Sequence, residues 1–193
     1  MDLFSTPAAP LVDDEQGGIR YLRDFAGPGQ AQSWFEALRQ HTDWSHQRRP
    51  MYDRVVDVPR LLASYQIDAL PPHLPLAEML GHVHAQAPAP YTTVGLNLYR
   101  DGSDSVAMHN DKLHTLVPGN PIALVSLGHP RRMLIRGKSG TCHSIAVELE
   151  PGSLLVMSHV SQLTHEHGIP KTTRPVGQRI SVVFRVRPPD WKE

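Results

Sequence analysis

Two residues separated by a single position suit metal chemistry. His109 and Asp111 flank Asn110, and on a strand residues two apart project to the same side, so an imidazole and a carboxylate can be presented together. An imidazole and a carboxylate are two of the three ligand types of a 2-His-1-carboxylate triad, which leaves positions on Fe(II) open for an oxidant and a co-substrate. A His-x-Asp pair alone is a weak signal, because it occurs often by chance.

A third ligand would have to come from a distant strand, and residues 164–170, with the sequence THEHGIP, offer two candidates. His165 and His167 are two residues apart, so alternation along a strand places both on one face. Spacing therefore does not choose between them. The alternative for either histidine, judged alone, is a polar residue at the end of a strand.

Arg179 and Arg185 stand six positions apart with mostly apolar residues between them. At an even spacing on a strand both face one side, and an arginine inside a barrel needs an anionic partner because an unpaired buried charge is very costly. A dicarboxylate supplies such a partner through bidentate pairing. The competing interpretation places both arginines in solvent and Ile180, Val182 and Phe184 in the core, and the pattern alone favours it.

Short strands are the elements that must position these side chains. Amphipathic helices are predicted first, over residues 31–41 and 76–86, where apolar residues recur at helical spacing. Turn residues then separate β-rich runs at 92–99, 122–127, 132–135, 144–148, 153–157 and 179–186. We therefore predict a mainly β (α+β) fold, with a double-stranded β-helix (jelly roll) core and N-terminal supporting helices.

The chain has 193 residues, which fits one structural domain of ordinary size. Within it we predict an extended N-terminal arm over residues 1–18. Residues 19–90 are predicted to form a helical and β extension that serves as substrate lid and support, and residues 91–193 the double-stranded β-helix core.

Composition narrows the class of protein. Lys plus Arg equals Asp plus Glu at 19 each, which weighs against an affinity that depends on a strongly basic surface. The single cysteine excludes an internal disulfide framework and fits a reducing cytoplasm. We find no signal-peptide pattern and no run of about 18 apolar residues. The expectation is a cytoplasmic protein, monomeric and without a membrane span.

Four motifs in order and in register resemble the AlkB family. They are NLYRDG at 97–102, HND at 109–111, HGIP at 167–170 and the arginine pair of 179–185, and together they cover roughly half of the chain. PRL at 59–61 is similar to a segment of the eukaryotic AlkB homologues. AlkB members are Fe(II)- and 2-oxoglutarate-dependent dioxygenases, so the resemblance implies Fe(II), 2-oxoglutarate and O2 as cofactor and co-substrates, together with the jelly-roll fold.

The resemblance assigns roles residue by residue. It implies that His109, Asp111 and His167 are the catalytic iron ligands. His167 is preferred to His165 because the family ligand precedes a small-aliphatic-proline turn.

For the co-substrate, Arg179 resembles the arginine that pairs with the distal carboxylate of 2-oxoglutarate, and Arg185 the arginine near its metal-chelating end. Asn97 and Tyr99 resemble the side chains that hydrogen-bond it. A dianion between the arginines would answer the cost of burying them, which reverses the preference for the solvent-facing interpretation.

In the family, oxidation of an N-alkyl carbon on a nucleobase releases an aldehyde, succinate and CO2, and the base must be flipped out or single-stranded. The sequence departs from the DNA-repair members at Leu113, where they carry a second acidic residue, and at Ser181, where Asn is common. Leu113, His114 and Tyr65 are the candidate substrate contacts. Tyr65 would stack on the base, and its alternative is a core tyrosine.

We therefore predict a dioxygenase that dealkylates N-alkylated bases in DNA or RNA, of the DNA-repair type. One alternative is a 2-oxoglutarate-dependent hydroxylase of a protein or small molecule, which the neutral charge and Leu113 favour. Another is a metal-binding jelly roll without turnover, which leaves the arginine pair unexplained. Basic residues that would contact phosphates are Arg48, Arg49, Arg54, Arg131, Arg132, Arg136 and Lys138, and scattered solvated charges are the alternative for them.

Overall fold

The structure is a computed structural model that describes residues 10–51, 54–139 and 144–191. Its helices are α1 (Pro28–His41), α2 (Leu76–Gln86) and the short α3 (Ser161–Thr164). Its strands are β1 (Ile19–Leu22), β2 (Arg48–Met51), β3 (Arg54–Asp57), β4 (Leu61–Gln66), β5 (Thr93–Tyr99), β6 (Val106–His109), β7 (Ile122–Gly128), β8 (Arg131–Gly137), β9 (Ile145–Leu149), β10 (Ser153–Met157), β11 (His165–Ile169) and β12 (Arg179–Arg185). Among these residues no helix is long and apolar enough to cross a membrane.

Two antiparallel sheets face each other. The larger has the strand order β1-β10-β7-β12-β5-β4 and the smaller the order β6-β11-β8-β9, while β2 and β3 form a separate two-stranded sheet. Side chains of both sheets meet in one core cluster, for example Leu124 and Val183 from the larger sheet with Ile135 and Val147 from the smaller. This face-to-face arrangement of mostly antiparallel strands confirms the predicted jelly roll.

The larger sheet is covered on both faces, which explains the nearly continuous apolar runs of its central strands. On β12, Ile180, Val182 and Phe184 pack with the helices, whereas Val183 lies in the core between the sheets. The odd-numbered positions of β12 therefore face the space between the sheets, including both arginines of the strand. The sequence interpretation that placed these arginines in solvent is wrong.

The helices cover the outer face of the larger sheet. Ala31, Trp34, Phe35 and Leu38 of α1 are buried at helical spacing, and the Trp34 indole donates a hydrogen bond of 3.1 Å to Glu78 on α2. Helix α1 begins three residues before the predicted start because a proline suits the first helical turn. Helix α2 has the predicted bounds.

Segments before residue 91 complete the larger sheet. β1 pairs with β10 at one edge, and β4 pairs with β5 at the other. Residues 10–18 turn back on the sheet, where Val12 forms an isolated bridge with Ile19. Gly18 makes this turn at φ +61°, and a side chain there would collide with the Val12 carbonyl.

Candidate iron and dicarboxylate site

A cavity between the two sheets collects most of the predicted site residues. It encloses about 80 Å³, several times the roughly 10–15 Å³ that one water molecule needs, so it suits a small multi-atom ligand. The residues that line it are Arg60, Asn97, Tyr99, Val106, His109, Leu124, Met133, His167, Ile169, Arg179, Ser181, Val183 and Arg185. Residues that are distant in sequence thus converge on one space because their strands present alternate positions to it.

The two histidines meet through strand register. His109 ends β6 and lies opposite His167 on β11, and directly paired residues of antiparallel strands share a face. Their ring centroids are 4.6 Å apart. The His109 Nδ1 lies 2.9 Å from the Ala107 carbonyl oxygen, which as an acceptor requires the proton on Nδ1. That bond leaves His109 Nε2 with its lone pair available to a metal.

The ionisation states suit metal ligation. Burial, together with the neighbouring His109, lowers the pKa of His167 to about 4, so its imidazole is neutral at physiological pH. Burial alone would raise the pKa of the Asp111 carboxyl, but Arg185, His167 and His109 outweigh it and lower that pKa to about 2. A neutral imidazole and an ionised carboxylate are the forms that bind a divalent cation.

Asp111 is not positioned as the sequence suggested. Strand β6 ends at His109, so strand alternation does not direct the Asp111 side chain. Arg185 instead holds the carboxylate, with Nε donating to Oδ2 at 2.6 Å and Nη2 to Oδ1 at 3.3 Å. The Asp111 backbone N–H donates to Gln162 Oε1 at 3.0 Å.

Within the described parts of the chain, no three His, Cys, Asp or Glu side chains are already grouped as a metal site. The donor types nevertheless fit Fe(II), because His109 and His167 lie opposite each other on paired strands and Asp111 supplies the carboxylate of a 2-His-1-carboxylate set. A metal bound here would compete with Arg185 for the same carboxylate oxygens.

Arg179 marks a site for an anion. Its side chain is fully buried, and its Nε donates to Ser126 Oγ at 3.0 Å. Both Nη1 and Nη2 are buried without a hydrogen-bond partner among the described residues. The guanidinium carbon lies 5.1 Å from the centre of the Tyr99 ring. A buried guanidinium with two unused nitrogens is costly, and a carboxylate would accept from both.

Asn97 sits in a short chain of hydrogen bonds across the cavity. Its Oδ1 accepts from Arg60 Nε at 2.8 Å, and its Nδ2 donates to Ser181 Oγ at 3.4 Å. Sequence reasoning did not identify Arg60 as a site residue. The only signal for it was the PRL segment at 59–61, where the resemblance was weakest.

Tyr65 does not reach the cavity. It packs, with Leu61 and Ala63 of the same strand, against the core cluster beneath the helices. The opposite face of β4 carries Leu62, the residue paired with Asn97. Because successive strand residues alternate, Tyr65 points away from the site, and its predicted stacking on a base is not supported. Leu113 and His114 lie in a 3₁₀ turn just after Asp111, half-buried and exposed respectively, and their substrate role stays a prediction.

His165 lies outside the cavity lining. Its Nδ1 is 2.8 Å from Thr164 Oγ1. The environment of His165 is therefore that of a half-buried surface residue. This placement favours His167 as the ligand.

The low pKa of His167 predicts a pH dependence of stability for the metal-free protein. Unfolded histidine titrates near 6.5, so between pH 6.5 and pH 4 the unfolded state binds a proton that the folded state does not. The free energy of unfolding should therefore fall as pH drops through this window, by on the order of 3 kcal/mol. Urea unfolding of the metal-free protein at pH 7 and pH 4.5 measures the difference.

His167→Gln is the matched variant for this measurement, because it removes the titrating ring while keeping a polar side chain. Its unfolding free energy should change much less over the same pH window. The lowered pKa values of Asp111 and Asp104 act mainly below pH 4 and leave the window to His167. An equal pH slope in the variant and the parent would contradict the assignment.

Comparison with known proteins identifies the family of this chain. The sequence profile described as the 2OG-Fe(II) oxygenase superfamily matches residues 18–185. The human protein named DNA oxidative demethylase ALKBH2 is 31% identical over 59% of this chain and 47% of its own length. Its Arabidopsis thaliana namesake is 26% identical over 94% of this chain and 70% of its own length. The Bos taurus protein named alpha-ketoglutarate-dependent dioxygenase alkB homolog 3 is 28% identical over 83% of this chain and 63% of its own length.

This chain spans about half or less of the length of the mammalian ALKBH2 proteins it matches, between 37% and 47%. A solved structure described as OsALKBH1 superposes with a TM-score of 0.62 over 87% of this chain and 97% of that chain. At 17% identity this likeness supports the fold alone. With a profile match over most of its length and relatives that carry AlkB names, this chain is a member of the 2OG-Fe(II) oxygenase superfamily and, within it, of the AlkB family.

Proposed function

We propose that this chain is an Fe(II)- and 2-oxoglutarate-dependent dioxygenase that dealkylates N-alkylated bases in nucleic acid, as in DNA repair. The observation that carries the proposal is the convergence of the His109–His167 pair and the unpartnered Arg179 fork on one cavity. Relatives named DNA oxidative demethylase supply the substrate class.

His109, His167 and Asp111 would hold the iron. Bound Fe(II), with 2-oxoglutarate and O2, supplies the oxidation of the N-alkyl carbon, and the products are succinate, CO2, an aldehyde and the restored base. The protein provides two imidazoles that share a face through strand register, and one carboxylate that stays ionised. Arg185 orients that carboxylate from the neighbouring sheet.

Arg179 would pair with the distal carboxylate of 2-oxoglutarate, because its two Nη atoms match the two oxygens of a carboxylate. The Asn97 amide offers a second polar contact, since its Oδ1 is already engaged by Arg60 and its NH2 group is turned toward Ser181 and the cavity. The buried surroundings of these groups exclude water, which strengthens each charged contact.

The cavity is too small to enclose a base as well, so the base would bind at its mouth. Leu113 and His114, in the 3₁₀ turn that follows Asp111, stay the predicted substrate contacts. Leu113 stands where DNA-repair members carry an acidic residue, which favours the second candidate function, hydroxylation of a protein or small molecule. Nucleic acid remains the first choice because of a cationic cleft on the outer surface. Salt dependence of binding separates the two candidates.

The cationic cleft, defined by His129, Arg132, Lys171 and Arg174, has a volume of about 330 Å³. Among the described residues, the side chains of Arg132, Lys171 and Arg174 form no salt bridge. The acid in the lining is Glu148, which lies across the strands from Arg132. Lys171 lies two residues after the end of β11, which carries His167, so the cleft could bind phosphates of a strand whose base enters the site.

Most of the other predicted phosphate contacts have different partners. Arg131 is buried and donates to the backbone carbonyls of Asp101, Asp104 and Pro170, so its prediction as a phosphate contact is wrong. Arg136 pairs with Glu166, Arg48 with Asp57, and Lys138 Nζ donates to the Gln162 carbonyl. The side chains of Arg49 and Arg54 lie outside the described residues.

The double variant Lys171→Ala, Arg174→Ala is expected to raise KM for a single-stranded oligonucleotide and to leave kcat at saturation nearly unchanged. Each lost phosphate contact should reduce the slope of log affinity against log salt by about 0.7 for single strands. Oligonucleotide binding measured between 50 and 200 mM salt gives the slope. Arg39→Ala is the control, because Arg39 is paired with Glu36 on α1. An unaltered slope in the double variant would remove the cleft from the binding surface.

A mass measurement tests the proposed function. A single-stranded DNA oligonucleotide with one 1-methyladenine is incubated with protein, Fe(II), ascorbate, 2-oxoglutarate and air. Loss of one CH2 mass, absent without 2-oxoglutarate, is the expected result. Unchanged DNA with slow formation of succinate would reject this substrate and favour RNA, bulkier adducts or the hydroxylase alternative. If neither demethylated DNA nor succinate forms, the dioxygenase assignment is rejected.

We also propose that the protein is a monomer in the cytoplasm. Size-exclusion chromatography with light scattering tests the first part, since a dimer would elute at twice the 21.5 kDa mass of the chain. Cell fractionation tests the second part.

A further inference from the structure

The backbone of Asp111 is held by a buried side chain. Its N–H donates to Gln162 Oε1 at 3.0 Å, and Gln162, on α3, is 1% exposed. Asp111 lies beyond the end of β6, so no strand ladder fixes its peptide. The Gln162 side chain supplies the contact that the ladder would otherwise provide.

The orientation of the Gln162 amide is dictated by its surroundings. A backbone N–H only donates, so the group that faces Asp111 must be the amide oxygen. The Gln162 Nε2 then donates to Ser161 Oγ at 3.2 Å, and that hydroxyl donates to the Ser158 carbonyl at 2.7 Å. The amide oxygen thus accepts from a donor and the amide nitrogen donates to an acceptor, so the side chain is fixed in one orientation.

The hydrogen-bond network extends to the N-terminal segment. Ser158 Oγ accepts from the Ser161 N–H at 2.9 Å and donates to Asp14 Oδ2 at 2.6 Å. Asp14 in turn accepts from the backbone of Gly18. Ser158 and Ser161 are 2% and 1% exposed, so water does not compete with these bonds. A continuous network therefore joins residues 14–18 to the Asp111 peptide.

Burial of the Gln162 amide requires a physical explanation. Burying it is unfavourable unless its hydrogen bonds are made, and an apolar residue would fill the space without that condition. The amide restrains Asp111 from a second direction. Arg185 draws the carboxylate, and Gln162 fixes the peptide, so the side chain is held between two anchors.

We propose that Gln162 is a positioning residue of the iron site, which holds the Asp111 peptide so that its carboxylate can join His109 and His167 on the metal. Ser161, Ser158 and Asp14 lock the Gln162 amide for this role. Without the amide bond, Arg185 alone would direct the carboxylate. The inference rests on the proposed assignment of Asp111 as an iron ligand.

Gln162→Met tests the inference, since methionine has a similar length and lacks the acceptor. Metal binding is measured with Co(II) added to the metal-free protein in the presence of 2-oxoglutarate, through the visible absorption of the bound ion. We expect Co(II) to bind 10- to 100-fold more weakly, the range for residues that orient metal ligands. Hydrogen exchange of the peptide that contains Asp111 should also become faster in the metal-free variant.

Gln86→Met is the matched control, because Gln86 is exposed at the end of α2. Thermal unfolding of both variants shows whether they remain folded. Ser158→Ala provides a second, milder variant, since it cuts the network between Asp14 and Ser161 while leaving Gln162 in place. Its loss of Co(II) affinity should be smaller, and in the double variant the two losses should not add.

The outcomes separate the inference from the function on which it rests. A wild-type protein that binds no Co(II) would overturn both. If the wild-type protein binds Co(II) and Gln162→Met binds it with the same affinity and the same absorption spectrum, the inference alone is overturned. If Gln162→Met fails to fold, Ser158→Ala decides, and undiminished Co(II) affinity there would overturn the role of the network.

Discussion

His167→Ala should abolish 2-oxoglutarate turnover, whereas His165→Ala should leave most of it. The two histidines are two residues apart on β11, but only His167 lines the cavity and lies opposite His109. With three proposed protein ligands, removal of one would leave iron with two, too few for a stable site. Succinate formation and demethylation, measured side by side for both variants, give the comparison.

His165→Ala is the internal control for this experiment, because it changes the same strand by the same number of atoms. Co(II) binding to each variant shows whether the lost turnover comes from lost metal. Asp111→Ala should behave like His167→Ala, and it also leaves Arg185 without its carboxylate partner. An inactive His165→Ala together with an active His167→Ala would exchange the ligand assignment.

Arg179→Met is expected to make the metal-free protein more stable and to eliminate its response to 2-oxoglutarate. The wild-type guanidinium is fully buried with two nitrogens unpaired. Replacement of a buried ion pair by apolar residues of similar volume is often neutral or stabilising, by up to about 4 kcal/mol, and a buried charge without an anionic partner is more costly still. The same substitution removes the fork that would bind the distal carboxylate, so KM for 2-oxoglutarate should rise by orders of magnitude.

Thermal unfolding with and without 2-oxoglutarate measures both effects. Wild-type protein should unfold at a higher temperature with the ligand, because a ligand at 100 times its Kd stabilises by about 2.7 kcal/mol. Arg179→Met should start at an equal or higher Tm and show no shift. Arg39→Met, on the surface of α1, should keep the wild-type shift. A strongly destabilised Arg179→Met with an intact ligand shift would refute the proposed carboxylate site.

Local pattern alone determined the two long helices and the central strands. Helical spacing identified α1 and α2, and the β-rich runs identified the central strands, because side-chain periodicity follows directly from backbone geometry. Motif order and spacing also identified the family and most of the polar residues that line the cavity. For Arg179, however, the local pattern favoured a side chain in solvent, and only the resemblance of the four motifs together to the AlkB family reversed that interpretation.

Tertiary structure decided what depends on partners from distant segments. Arg131 is buried because three carbonyls from other loops surround it, and Tyr65 faces the helices because β4 pairs with β5 in one register. Asp111 was identified by its motif, yet its orientation comes from Arg185 and Gln162, which lie 74 and 51 residues away in the sequence. Hydrogen bonds between such distant groups form only when the sheets are assembled, so no local pattern could have predicted them.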